Sequence, residues 1–256
     1  MSWQPVDCHA HTTMSDGRLS VEALVERAKV LDVRPSVSDH ISHDIDVAIK
    51  NVSEIRAYLD TLDRYDVLRG GEFCWHDTLW REMPPELVPR FTHRIGSLHA
   101  IILADGRVVH AFSRRVATEL SPDAYMDAHI DNIERFAREM PVDILGHPTL
   151  IPMSFRHHQP EELWSEDREE RAVAALYHAG VAFEISSRYP PHERIVRRAV
   201  ERGVRISLGS DGHTAQQVAN VSAPLALARA LGVTDTDLYD PIQHGSKTHA
   251  GDHARM

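Results

Sequence analysis

The chain has 256 residues, 42% hydrophobic and 26% charged, a size and composition that suit one large globular domain or two small ones. Its formal net charge of -10 disfavours broad binding to nucleic acid, which needs a basic face, and no apolar run approaches the ~18 residues that span a membrane. The first residues lack the basic-then-apolar layout of a signal peptide, and Cys8 and Cys74 make neither a disulfide framework nor a Cys-rich zinc motif, so a cytoplasmic protein with both thiols packed as small buried groups is expected.

Short β-branched runs that end in polar residues alternate with amphipathic stretches. The first predicted strand, 6–9, runs into His9 and His11. Ser20 then caps a helix over 20–31, whose Val21, Leu24, Val25 and Ala28 follow the i, i+3, i+4, i+7 spacing. A second strand, 35–38, leads into Asp39 and His40 and is followed by a helix over 46–64. The third strand, 67–72, ends at Glu72, and the fourth, 94–98, at His99. Ser121 and Pro122 make a cap-then-first-turn start for a helix over 122–138, and the fifth strand, 143–146, runs into His147. A helix over 166–179 stops at Gly180, a strand over 181–186 carries Glu184, and a helix over 192–202 stops at Gly203. The last strand, 205–209, leads to Asp211 and His213, with a helix over 223–231 after it. Residues 241–256, including His244, His249 and His253, are polar and aperiodic; disorder is expected there, leaving 1–240 as a single domain.

Strands alternating with helices imply parallel βαβ units. Seven of them suggest an α/β fold closed into a distorted (β/α)7 TIM-like barrel, with an open doubly wound sheet as the alternative. In a parallel barrel the C-terminal strand ends converge on one face, so residues scattered over the chain would meet in one pocket. His9 and His11 share a side of an extended segment, and Asp211 and His213 repeat that spacing. A lone histidine at a strand end is ordinarily a satisfied polar residue. The joint set of His9, His11, Asp16, His40, Glu72, His99, His147, Asp211 and His213 is too large for one tetrahedral ion and suits two or three divalent transition-metal ions, zinc, manganese or iron.

The stretches "DCHAHTTMSDG", "VSDH", "RGGE", "GSLH", "LGHP" and "GSDGH", in this order from Asp7 to His213, resemble the polymerase and histidinol phosphatase (PHP) family of metal-dependent phosphoesterases. The resemblance implies a seven-stranded distorted barrel with a trinuclear site. One ion would take His9, His11, Glu72 and Asp211; a second His99 and His147 with Glu72 as a bridge; a third Asp16, His40 and His213. The stretch from "VDILGHPT" to "GSDGHT" looks like the PHP domain attached to bacterial family X DNA polymerases. Where the histidinol phosphatase branch carries a Pro-Phe-Cys-like segment and Thr-Glu-His, this chain reads "TTMSDG" and "VSDH", which points away from histidinol phosphate as substrate.

The expected activity is phosphomonoester hydrolysis of a small phosphorylated metabolite or nucleotide by metal-activated hydroxide, with Glu72, Asp211 and His213 as the candidate catalytic residues. Arg188 is the candidate phosphate-binding residue, because guanidinium pairs bidentately with phosphate. Glu184 and Asp7 are candidates to orient ligands from behind. A 3′-end nuclease and a non-catalytic metal-binding module are the competing functions. Trp75, Trp80 and Phe155 are candidate pocket walls, against an ordinary packing role, and His43, Asp44, His157 and His158 lie in loops after strands.

Overall fold

Two of the predicted strands change sheet midway in the computed structural model, which describes residues 3–247. The strands are β1 (Ser36–Val37), β2 (His40–Ile41), β3 (Leu68–Arg69), β4 (Glu72–Cys74), β5 (Ile95–Ser97), β6 (Ala100–Ile102), β7 (Val108–His110), β8 (Ile144–Gly146), β9 (Ala182–Ser186) and β10 (Ile206–Gly209). The helices are α1 (Val21–Val30), α2 (Val52–Leu62), α3 (Leu79–Glu82), α4 (Val116–Glu119), α5 (Pro122–Glu139), α6 (Pro160–Leu163), α7 (Glu166–Ala179), α8 (Glu193–Arg202), α9 (Ser222–Ala230) and α10 (Pro241–His244). A six-stranded, all-parallel sheet in the order β10-β9-β8-β5-β4-β2 forms the centre. The stretch 35–38 pairs with the start of 67–72 as a separate β1–β3 ladder; the chain then steps across and resumes in the main sheet as β2 and β4. Gly70 permits the crossing, since a Cβ there would lie 2.3 Å from Ser38 Oγ and 2.6 Å from His93 Nε2.

The predicted first strand is not a ladder but a bridging segment. Cys8 N and His11 N donate to Leu208 O and Gly212 O, both at 2.9 Å, while Ala10 O accepts from Ser38 N at 2.8 Å on the other side. The described residues contain no closed sheet, so what stands is a parallel α/β architecture. At the N-terminal ends of the strands Ile95, Ile144, Ala182 and Leu68 meet Val6, Cys8 and Tyr239 in a buried apolar cluster, separate from the larger core between sheet and helices. Polar side chains are thereby left to the opposite end.

Three expectations are corrected. The helix predicted from residue 46 starts at Val52, where Asn51 Oδ1 accepts from Glu54 N; residue 49 instead bridges Ile41 as extended chain. An antiparallel hairpin, β6–β7, stands where no strand is predicted, turning through Gly106 at φ 86°. The stretch from 241 to 247 is folded, because hydrogen bonds replace apolar burial: Lys247 N donates to Asp143 Oδ1 at 3.0 Å and its ammonium to Ala179 O at 2.8 Å. The rest of the expected tail, with His249 and His253, lies outside the described residues. Among those described, no helix is long and apolar enough to cross a membrane.

Candidate metal centre

The nine predicted ligands gather around Glu72, with His40 and Glu72 at the starts of β2 and β4 and His99, His147 and Asp211 just past the ends of β5, β8 and β10. His40 Nδ1, His9 Nε2 and His11 Nε2 stand 2.6, 3.4 and 3.7 Å from Glu72 Oε2. His147 Nε2 and His99 Nε2 stand 3.2 and 3.3 Å from Oε1, and 3.2 Å from each other. Asp211 Oδ1 lies 3.4 Å from His11 Nε2 and 3.5 Å from His213 Nδ1. Asp16 closes the outer side, 3.2 Å from His213 Nε2 and 3.6 Å from His40 Nε2. His147 and Asp211 hold left-handed backbone conformations, φ 30° and 48°, rare for side chains with a Cβ and sustained only by surrounding structure.

These donors are not satisfied by one another. His9 Nε2, both ring nitrogens of His11, His40 Nδ1, Glu72 Oε2 and His147 Nδ1 are buried without a hydrogen-bond partner. Buried polar atoms are normally paired, and leaving one unpaired costs ~1–3 kcal/mol. Burial, then the neighbouring His40, holds His11 down to about 3, so its ring is neutral at pH 7. Burial opposes ionisation of Glu72, but the surrounding imidazoles, His40 foremost, keep it well below the usual carboxylate range. An imidazole and carboxylate donor set with unpartnered atoms fits divalent transition-metal cations. Three groups of donors lie close enough to share an ion: His9, His11 and Asp211; His11, Asp16, His40 and His213; and His40, Glu72 and His99. The second expected trio differs, since His40 joins Glu72 and His99 in this grouping while His147 is outside it.

Glu184 on β9 is fully buried; its Oε1 lies 2.8 Å from His9 Nδ1 and its Oε2 accepts from His147 N at 2.5 Å. The His9 contact turns Nε2 inward, as carboxylates behind metal-bound histidines do. Asp7 touches no imidazole. It accepts from His9 N, Ser210 N, Ser210 Oγ and Ala219 N at 3.3, 2.8, 2.6 and 2.9 Å, fixing the backbone that precedes Asp211. Burial raises its carboxyl to about 6 against these hydrogen bonds. Arg188 is half-exposed beside the cluster, with Nη1 2.5 Å from His213 Nδ1 and 3.5 Å from Asp211 O.

Sequence reasoning missed several supports. Asp39 accepts from Thr12 N, Thr12 Oγ1 and Ser15 Oγ at 2.7, 2.7 and 2.5 Å, which shapes the loop carrying Asp16; its place beside His40 was the available signal. Ser97 Oγ donates to Glu72 Oε1 at 2.5 Å, and Cys74 Sγ lies 3.3 Å from His99 Nδ1, so this thiol backs a ligand besides packing. Trp75, Trp80 and Phe155 line no part of the cleft: they are buried, and Trp75 stacks on Trp80 at 6.0 Å. Ile45, Phe112 and Tyr189 form its apolar wall instead, around a space of about 260 Å³. His157 and His158 lie beside a neighbouring pocket that shares Arg188 and Tyr189 with the cleft, and His43 pairs with Glu82 at 3.1 Å.

This α/β architecture, with a polar cluster at the strand ends, is the fold of solved histidinol phosphatase structures. One such structure, assigned as the histidinol phosphatase HisK of Listeria monocytogenes, matches with a TM-score of 0.70 at 16% identity, over 86% of this chain and 99% of that one. Histidinol phosphate phosphatase of Lactococcus lactis, solved with zinc, L-histidinol and phosphate, matches with a TM-score of 0.67 at 15% identity over the whole of both chains. In sequence, the chain is 23% identical over 247 residues to an uncharacterized protein of Methanocaldococcus jannaschii, covering 94% of this chain and 96% of that one. No protein-family model matches.

Proposed function

We propose that the protein is a PHP-type hydrolase that cleaves a phosphomonoester of a small molecule at a site for two or three divalent ions. The observation that carries the reading is the set of buried, unpartnered imidazole and carboxylate atoms converging on Glu72. The histidinol phosphatase fold, one example of which holds zinc and phosphate, supports it. The bridging segment 6–11, bonded on both sides, supports reading the sheet as the distorted seven-stranded barrel of that family.

When bound, divalent ions neutralise phosphoryl oxygens and lower the pKa of water from ~15.7 toward ~7. The protein's own residues do the positioning. In this reading His9, His11, Glu72 and Asp211 would hold one ion, His99 and His147 with Glu72 a second, and Asp16, His40 and His213 a third, with His40 also within reach of the ion at Glu72 and His99. Glu184 keeps Nε2 of His9 facing inward through its contact with Nδ1. Ser97 fixes the Glu72 carboxylate by donating to Oε1. Arg188, at the rim, pairs through its planar fork with phosphate oxygens. Tyr189 and Phe112 cover part of the cleft with apolar surface and limit water entry. The net charge of -10 and the small cleft favour a small phosphorylated substrate over a polynucleotide. The departures at "TTMSDG" and "VSDH" favour a substrate other than histidinol phosphate.

The test is hydrolysis of an aryl phosphate monoester against a diester after reconstitution with manganese or zinc, with His147→Ala as control. Monoester turnover that vanishes in the control is expected. Diester preference would move the reading to a nuclease, and no turnover of either in metal-loaded protein would count against a general phosphatase.

A further inference from the structure

Asp44, His76 and His110 come from three separate places: the loop after β2, the turn after β4 and the last residue of β7. The β6–β7 hairpin carries His110 to the other two. His76 Nε2 lies 3.0 Å from Asp44 Oδ2, and His110 Nδ1 lies 3.5 Å from the same oxygen. The two rings meet edge-on with centroids 5.2 Å apart, and one donor atom from each of the three residues lies within 4.8 Å of the others. A tetrahedral ion with bonds of ~2.0–2.1 Å sets its donors about 3.3 Å apart. The observed spacing around Asp44 is of that size.

We propose that Asp44, His76 and His110 form a transition-metal site of their own, a zinc-class ion held by two imidazoles and one carboxylate in the wall of the cleft. It is distinct from the cluster around Glu72, with which it shares no residue. The donor set suits zinc, copper, iron or nickel and not calcium or magnesium, which take oxygen ligands. The His76 side chain is 4% exposed and presents Nε2 to Asp44 Oδ2, so the ring is held in place for an ion shared with that oxygen. Burial, the largest influence on it, holds His76 below its usual basicity and so favours the neutral, metal-binding ring. Three protein donors leave a further position open. Asp44 and His110 line the same cleft as Asp16, His40 and His213, so water or an anionic oxygen of the substrate, remote from the scissile phosphate, completes the shell. That last role rests on the phosphoesterase reading; the ion itself does not.

The experiment counts zinc per chain by plasma mass spectrometry in full-length protein stripped with chelator, reloaded with excess zinc and desalted. His110→Ala and Asp44→Ala are the variants, because both side chains are more than 40% exposed (43% and 47%) and their truncation spares the core. Each is expected to hold one zinc fewer than wild type. His147→Ala reports on the Glu72 cluster independently, and its losses add to those of His110→Ala in the double variant. If the Glu72 cluster takes up no zinc but wild type still exceeds His110→Ala by one, the phosphoesterase reading falls and this site stands. Equal zinc in wild type and both variants overturns the proposal. So does a zinc-edge anomalous map of wild-type crystals with no peak among the three side chains, a measurement that needs no variant to fold.

Discussion

Glu72 and Glu169 are both buried carboxylates, and they are treated in opposite ways. Glu169, on α7, receives Arg194 Nε at 2.9 Å and His192 Nε2 at 2.6 Å on Oε1, and Arg194 Nε and Arg198 Nε at 3.1 and 3.3 Å on Oε2. Two of its three partners are guanidinium groups, which are charged at every working pH, and these tie α7 to α8. Glu72 is ringed by imidazoles, and its Oε2 accepts no hydrogen bond although His40 Nδ1 lies 2.6 Å away. Imidazoles crowded this closely cannot all carry charge at once, so they do not complete the carboxylate as guanidinium groups do. One carboxylate is completed from within the chain; the other leaves Oε2 open for the cation proposed above. Burial alone therefore does not mark a functional acid. The chemistry of its partners does.

The largest expected effect breaks the comparison at Glu72. Glu72→Gln should cut aryl phosphate turnover by about a thousandfold or more, the ~4 kcal/mol scale of a lost charge clamp at a reacting centre. Zinc per chain should fall with it, while metal-free protein melts at nearly the wild-type temperature. A variant that keeps its zinc would refute the central role given to this carboxylate. The next effect concerns a buried imidazole with no acid beside it. Burial holds His129 near 4, against 6.5 for a free ring. The native state therefore binds fewer protons than the unfolded chain between those values. Its stabilising share is complete above pH ~6.5 and is lost as the pH falls through ~4, up to about 3 kcal/mol. Denaturant melts of metal-free protein from pH 7 to 4 should show this slope, and His129→Phe should flatten it; an unchanged slope would assign the acid sensitivity elsewhere.

Glu169→Ala should lower unfolding free energy by about 2–3 kcal/mol, less than a fully enclosed pair would cost because Arg194 and Arg198 can turn to water. Turnover per folded molecule should not change. The smallest effect is Glu184→Gln, which leaves the ligands present but loosens His9. Zinc affinity, measured against a competing chelator, should weaken by roughly 10–100-fold, with the fold intact by circular dichroism. No change would mean that Glu184 only supports the backbone at His147.

What the sequence made legible was the donor set. His9 with His11 and Asp211 with His213 stand at i, i+2 on extended chain, and single ligands sit where apolar runs stop. The long helices were legible for the same reason, since capping by Ser20 and Ser121 and the stop at Gly180 are local acts. What was not legible is what only three-dimensional pairing decides. Nothing in 35–38 announces a change of sheet; in 67–72 the Gly70-Gly71 pair was the available signal, since glycine inside a strand marks a bend or a close backbone approach. Ile45, Val47 and Ile49 alternate at i, i+2, the period of extended chain rather than of α2, and Ile49 accordingly bridges Ile41. The hairpin at Gly106 had a turn signal, Asp105-Gly106, between apolar runs. Asp44, His76 and His110 had none, since each is a lone polar residue until the hairpin folds.

Lys247 has a practical consequence. Its backbone bond to Asp143 sets it just before β8, whereas His147 and the cleft lie just after that strand. The two ends of β8 thus face opposite sides of the molecule. A handle placed at residue 247 would lie on the side away from the cleft and leave the cleft open to ligand. Trimming the chain before Lys247 would instead strip two donors from the Asp143 carboxylate and the Ala179 carbonyl, and the handle would be gained at the expense of the floor beneath the site.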